Sequence, residues 1–367
     1  MSKLDYHAAG VHYDVLDTFK RACQKLAGQT SVNLPPRGFR DVAAVRGESA
    51  FLIESDSEYL AHVEEALGTK ILVADAMYKL TGESFYANVA IDNVSTIVND
   101  LVSCGALPVS VAMYTAVGDS DYFADTRRSE DLARGHAQGC AQSGAAWGGG
   151  ETQVLKGMIN PETAILGGSA IGRISPKSLR IAGDVKDGDA IVCLASSGVQ
   201  TNGLTLCRAL ADRLPRGYLT PLADGRSYGA ALLDASVIYV RFVEACQKAG
   251  LPLHYAVHMT GHGWRKLMRL EAPFVYHVSQ VGTPQAVFAA IAQAAQLDAR
   301  EMYGTFNMGC GFAVYVAPAD APRCLEIARA TGYTAWLGGQ VRAEGTRKAV
   351  VLEPLAVTYE ADTLQIR

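Results

Sequence analysis

The chain has 367 residues, 49% of them apolar and 19% charged, with a formal net charge of −4. That length fits two ordinary domains better than one. The charge offers no basic field for nucleic acid, and no run of eighteen apolar residues offers a membrane span. Eight cysteines, scattered from Cys23 to Cys324, contain no C-x-x-C pair, so neither a zinc site nor a disulfide framework is expected. The start, MSKLDYHAAG, has no apolar leader, and a reducing cytoplasm is the expected compartment.

Short β-branched runs alternate with helical patterns, which predicts α/β or α+β layers. The clearest helix is expected over 92–104. Val94, Ile97, Val98, Leu101 and Val102 form its apolar stripe, Asp92, Thr96, Asn99 and Asp100 project from the other side, and Gly105 and Pro108 end it. A second helix is expected over 129–144 with Ser129 as N-cap. It leads into Gly148-Gly149-Gly150-Glu151-Thr152, and a strand over 164–171 follows. Polar, Pro- and Gly-containing sequence over 172–186 marks a boundary. It gives a first domain over 1–172, a second over 173–340 and a strand-rich tail over 341–367. The second domain opens on a strand over 189–194, and Thr283 and Pro284 are expected as N-cap and first residue of a later helix.

Four Gly-rich polar turns stand out: 68–70, 148–152, 196–203 and 260–263. Glycines there allow backbone N–H groups to converge on an anion, and a following helix adds its positive end. Each is also compatible with an ordinary turn. None is a Walker A loop or a dinucleotide fingerprint. Glu65, Asp92, Asp100 and Glu151 lie in or beside these segments and are either solvated carboxylates or oxygen ligands for Mg²⁺ on a nucleotide. Lys70 is either a solvated lysine or a point charge on a phosphate. His258, just before the fourth turn, is either a satisfied strand-end histidine or a proton carrier. No G-x-S-x-G elbow is present, which disfavours a covalent route.

Six ordered segments resemble the aminoimidazole ribonucleotide synthetase (phosphoribosylformylglycinamidine cyclo-ligase) family. They are Tyr6-His7-Ala8-Ala9-Gly10-Val11, Val98-Asn99-Asp100-Leu101 with Gly105-Ala106-Leu107-Pro108, Gly149-Gly150-Glu151-Thr152, Ser196-Ser197-Gly198 with Thr201-Asn202-Gly203, His258-Met259-Thr260-Gly261, and Tyr303 through Gly309. The resemblance implies a two-domain α/β fold, an N-terminal sheet domain that pairs in a homodimer, and a C-terminal substrate domain. It also implies an ATP-dependent ring closure on a small ribonucleotide. Carried over residue by residue, it places the nucleotide on Glu65, Gly68, Thr69, Asp92, Asn99, Asp100, Gly149, Gly150, Glu151 and Thr152. Mg²⁺ would sit on Glu65, Asp100 and Glu151, and the substrate on Ser196, Ser197, Gly198, Thr201, Asn202, Thr260 and Gly261. His258, Asn202 and Lys70 would be catalytic.

The departures are specific. Glu65 stands where the family has Asp, and Leu34 through Arg40 replace a Gly-rich loop, with Arg37 and Arg40 as substitute anion contacts. Met113 replaces an Asp, Gln200 replaces a His, and His262 and Trp264 alter the H-I-T-G-G-G turn. Two alternatives therefore stand beside the cyclo-ligase: an ATP-dependent paralogue activating another amide or carboxylate, and a catalytically silent nucleotide-binding homologue.

Overall fold

The computed structural model describes residues 13–364; the compared segment 6–11 lies outside them. The first half contains α1 (Tyr13–Gln29), β1 (Arg40–Asp41), β2 (Phe51–Glu54), β3 (Tyr59–Ala66), α2 (Lys70–Thr81), α3 (Tyr86–Ser103), β4 (Leu107–Val117), α4 (Thr126–Ser143), β5 (Ala146–Val154) and β6 (Ala164–Ile174). The second half contains β7 (Ala190–Ala195), α5 (Leu204–Ala211), α6 (Tyr228–Leu232), α7 (Val240–Lys248), β8 (Tyr255–His258) and β9 (Val275–Val278). It continues through α8 (Ala286–Ala295), α9 (Ala299–Thr305), β10 (Cys310–Val316), α10 (Ala321–Ala330), β11 (Ala335–Arg342), β12 (Ala349–Leu352) and β13 (Val357–Glu360).

Among the described residues the strands form two mixed sheets, ordered β1-β2-β3-β6-β4-β5 and β13-β12-β9-β11-β7-β10-β8. The expected α/β architecture is present. The segment read as a tail is part of the second sheet, because β12 pairs in parallel with β9 and carries β13 on its outer edge. No helix among the described residues is long and apolar enough to cross a membrane.

Three local expectations are corrected. The helix expected from Ser129 starts at Thr126, with Asp125 as N-cap accepting from the Arg128 N–H at 3.0 Å. Thr283 and Pro284 do not open α8. Gln285 is the N-cap, and its side-chain amide reaches the Ser196 carbonyl at 2.6 Å, which holds this approach extended. The glycines at 148–150 form no turn but lie within edge strand β5. A Cβ at Gly150 would stand 1.9 Å from the Met113 carbonyl oxygen, so close approach to β4 explains that glycine.

The helix expected over 92–104 is longer and sits differently. α3 packs on β3 and β6 with one face and on β8 and α7 with the other. Its apolar stripe is buried as patterned, yet Asp92, Thr96, Asn99 and Asp100 are buried too. They bond the second half instead of water. Asp92 Oδ1 accepts from the Ser236 amide at 2.7 Å and its hydroxyl at 2.5 Å. Asn99 accepts from the Tyr239 amide and donates to the Val237 carbonyl, both at 2.9 Å.

Lys70 completes this joint. Fully buried, it pairs with Asp92 at 2.6 Å and donates to the carbonyls of Gln200 at 3.1 Å and Asp234 at 2.9 Å. Those three acceptors match the three protons of an ammonium, so Lys70 is a clamp and has none left for a phosphate. Lys70→Met leaves a buried carboxylate unpaired. It is expected to lower the unfolding free energy in urea by about 3–5 kcal/mol. A loss of about 1 kcal/mol or less, the size of an exposed pair, would contradict the clamp.

Candidate active site

Three of the four Gly-rich segments are turns that follow strands. Gly68 and Thr69 separate β3 from α2, residues 196–203 separate β7 from α5, and residues 260–263 follow β8. Phe312 of β10 pairs with both Leu194 and His258, so β7 and β8 end level with each other. Two strand spacings, about 10 Å, separate those ends. A ligand of nucleotide size spans that gap.

An ionic cluster occupies the β8 side. His258 closes β8, and its Nδ1 lies 2.8 Å from Asp100 Oδ1 on α3. Lys266, buried in the helical turn Gly263–Met268, donates to the His258 carbonyl at 3.3 Å and to the Thr260 hydroxyl. Glu65, near the end of β3, faces the charges of Asp100 and Lys266. Arg269 adds positive charge from behind, its guanidinium held by the Gly47 carbonyl at 2.7 Å, the Ser49 hydroxyl at 2.9 Å and Glu48 at 3.3 Å.

These neighbours set the protonation states. Burial pushes the His258 imidazole down; Asp100 opposes this, while Lys266 and Arg269 add to it. Burial pushes the Asp100 carboxyl up, but the His258 hydrogen bond and the positive charges of His258, Lys266 and Arg269 leave it below the ordinary carboxylate value. The pair is therefore a neutral imidazole donating through Nδ1 to a carboxylate, which leaves Nε2 as its basic nitrogen. Glu65 keeps solvent contact at the rim. The protein crowded around it and the Asp100 charge still push its carboxyl up to about 7, against the pull of Lys266. Desolvation and Arg269 bring Lys266 down to about 8, against the carboxylates. Desolvation and the surrounding cations bring His262 down to about 3.

The β7 turn is organised by Asn307, which sequence reasoning quoted without assigning a role. Asn307 accepts from the Ser196 hydroxyl and the Gly309 amide, each at 2.9 Å, and donates to the carbonyls of Gly198 at 2.9 Å and Val199 at 3.3 Å. Ser196 is thereby spent on structure. The hydroxyls of Ser197 and Thr69 are buried with no hydrogen-bond partner, the condition of groups that await a ligand. Asn202 donates to the Thr201 hydroxyl at 3.2 Å, and both residues are half-buried. Gln200, His262 and Met308 take left-handed backbone at φ 56°, 70° and 47°. Such strain collects at binding turns.

Lys266 and Arg269 were also missed. The available signal was their position: both follow Trp264 in a segment whose Trp264, Leu267 and Met268 are fully buried, so polar groups there are held rather than solvated.

Several assignments are corrected. Asp92, Asn99 and Lys70 belong to the joint between the halves, not to a nucleotide surface. Glu151 is exposed on β5. Glu65 pairs with Gly168, Gly168 with Met113, and Met113 with Gly150, so Gly149, Gly150, Glu151 and Thr152 lie three strands from the Glu65 row. That is about 14 Å. One Mg²⁺, with ligands at about 2.1 Å, cannot join Glu65 and Glu151 of the same subunit. Asp100 already serves His258, and a lysine stands beside it. Among the described residues no three His, Cys, Asp or Glu side chains gather as a metal site. The residues present do not fit the implied Mg²⁺. Arg37 and Arg40 are no substitute loop either: Arg37 donates to the Asn33 carbonyl, and Arg40 pairs with Asp56 and Glu54 on the surface. Met113 is buried in the sheet, and Gln200 turns its amide to the Tyr239 hydroxyl at 3.2 Å.

Two α/β halves joined through a polar helix, with strand-end turns and a buried acid–base pair, define a small-molecule enzyme of the synthetase type. The chain belongs to the AIR synthase related protein family, whose N-terminal domain model matches residues 41–174 and whose C-terminal domain model matches residues 186–351. It is 30% identical over 363 residues to phosphoribosylformylglycinamidine cyclo-ligase of Carboxydothermus hydrogenoformans, covering 96% of this chain and 100% of that one. It is 32% identical over 296 residues to the enzyme of the same name from Methanothermobacter thermautotrophicus, covering 78% and 82%. The family is one of ligases. Similar solved folds include the hydrogenase maturation protein HypE in complex with ATP, with TM-score 0.60, 19% identity and coverage of 83% and 85%. T. maritima PurL complexed with FGAR matches with TM-score 0.56, 17% identity and coverage of 89% and 49%.

Proposed function

We propose that the chain is an ATP-dependent ligase that closes the imidazole ring of formylglycinamidine ribonucleotide, acting as a homodimer in the cytoplasm. The observation that carries this reading is the Asp100–His258 pair at 2.8 Å, level with the orphaned Ser197 hydroxyl across β10. ATP and substrate occupy the strand-end turns, with Gly68 and Thr69 on one side and Ser197, Gly198, Thr201, Asn202, Thr260 and Gly261 on the other. The formamide oxygen attacks the γ-phosphorus, releasing ADP and leaving an iminophosphate. The amidine nitrogen then attacks the activated carbon and phosphate departs. His258 Nε2 takes the proton of that nitrogen, while Asp100 fixes the tautomer and stabilises the imidazolium. Thr69 and Ser197 offer hydroxyl donors to phosphate oxygens, a task of positioning and charge neutralisation. No step is routed through Mg²⁺, for which one subunit supplies no cage.

A second reading rests on Gln200. Its side chain faces the core at a position where the family's histidine resembles a substrate contact, which favours a paralogue that activates another amide. Rescue of a purine auxotroph lacking the cyclo-ligase separates the two: growth supports ring closure, and soluble expression without growth supports the paralogue. On the first reading, His258→Gln lowers ring-closure turnover by roughly 10²–10⁴-fold, measured on purified enzyme. Unchanged turnover would remove His258 from the mechanism.

The dimer reading rests on the first sheet. Val109 on β4 and Ile165 and Ile171 on β6 are exposed by 50%, 42% and 51%, leaving apolar side chains on the sheet surface. A second copy covers them with its own equivalent sheet, a self-complementary arrangement natural to a two-fold dimer. Ile171→Lys, on an exposed site, should yield a folded monomer in sedimentation velocity. A wild-type monomer at micromolar concentration, or a dimeric Ile171→Lys, would contradict the assignment.

A further inference from the structure

A divalent cation held between acidic side chains neutralises the charge of an incoming phosphate. In this chain the cluster of Glu65 and Asp100 already contains a positive group. Lys266 sits on a rigid mount: Trp264, Leu267 and Met268 of the same turn are fully buried, the Trp264 indole donates to the Asn307 carbonyl at 2.9 Å, and the Tyr315 hydroxyl donates to the Leu267 carbonyl at 2.8 Å. Two of the three ammonium protons go to the His258 carbonyl and the Thr260 hydroxyl. One remains for an anion.

We propose that the Lys266 ammonium is the resident cation of the Glu65–Asp100 centre, standing where a divalent ion would otherwise bind and meeting the ligand's phosphate directly. Three observations support it. Asp100 Oδ1 is spent on His258, which reduces its capacity as a metal ligand. Glu151 lies about 14 Å away across the sheet, so no third carboxylate of this subunit completes a cage. Arg269 is tied to Glu48, so the charge opposite Glu65 and Asp100 belongs to Lys266. The mutual shifts agree: the carboxylates hold the Lys266 proton against desolvation, and Lys266 restrains the rise of Glu65. The departure of Glu65 from the family's Asp has a physical reason in this frame. An ammonium accepts a carboxylate at variable reach, whereas an octahedral Mg²⁺ does not.

The ligand class, a phosphorylated nucleotide, rests on the proposed function; the exclusion of the metal does not. The test therefore has two arms on the full-length protein. Mn²⁺, without nucleotide, is titrated and followed by electron paramagnetic resonance. Wild type and Lys266→Arg should leave the ion free, Lys266→Gln should capture one per chain, and adding Glu65→Gln should release it again. Stoichiometric, Glu65-dependent Mn²⁺ capture by wild type overturns the proposal. So does a folded Lys266→Gln that captures none. If Lys266→Gln does not fold, the wild-type and Lys266→Arg titrations still decide. In the second arm, calorimetry of ADP with wild type should give a Kd that changes by less than about tenfold when EDTA replaces Mg²⁺. A change beyond about a hundredfold contradicts the proposal. Absence of ADP binding in both conditions sinks the nucleotide reading and leaves the Mn²⁺ result to judge Lys266.

Discussion

The polar face of α3 is buried between two sheets, and everything at the site follows from how that burial is satisfied. A buried polar group without a partner costs about 1–3 kcal/mol. α3 presents a whole row of such groups to the second half of the chain. Asp92 and Asn99 meet the backbone of Ser236, Val237 and Tyr239, a stretch with no sheet or helix partner of its own. Lys70 ties Asp92 to Gln200 and Asp234. One helix thus fixes the second half against the first, with a geometry that hydrogen bonds specify more narrowly than apolar contact does.

Asp100 is the last member of that row, and it faces His258 rather than backbone. The same burial that makes the upper part of α3 a joint makes its lower part a catalytic device. Low local polarity sharpens each charge, which explains why Glu65 rises, Lys266 falls and His258 stays neutral within one cluster. Groups brought toward neutrality near pH 7 are suited to proton transfer. The β7 turn adds hydrogen-bonding capacity without charge, and Asn307 holds it rigid.

Much of this was legible in the residues. The stripe from Val94 to Val102 located the central helix, and the turns after β3, β7 and β8 were visible as Gly/Ser/Thr clusters. The resemblance supplied the fold, and His258 and Asp100 stood out as chemistry. What failed was side-chain environment. A helix with one apolar and one polar face reads as half-solvated, because the sequence does not say that a second domain covers the polar face. The glycines at 148–150 read as a turn because close approach of a neighbouring strand leaves the same mark as a bend. Metal triads drawn from motif order ignored strand spacing, which puts Glu151 across the sheet from Glu65. Lys266 was overlooked because a lysine in an apolar run looks like a solubilising interruption.

Native-state hydrogen exchange at the Ser236 and Tyr239 amides tests the interdomain joint most directly. Both lie in irregular backbone, which exchanges quickly when exposed. Their bonds to Asp92 and Asn99 should instead give them the protection of α3 itself, and Asn99→Ala should release Tyr239 selectively. Loop-like exchange of both amides in the wild-type protein would contradict the account.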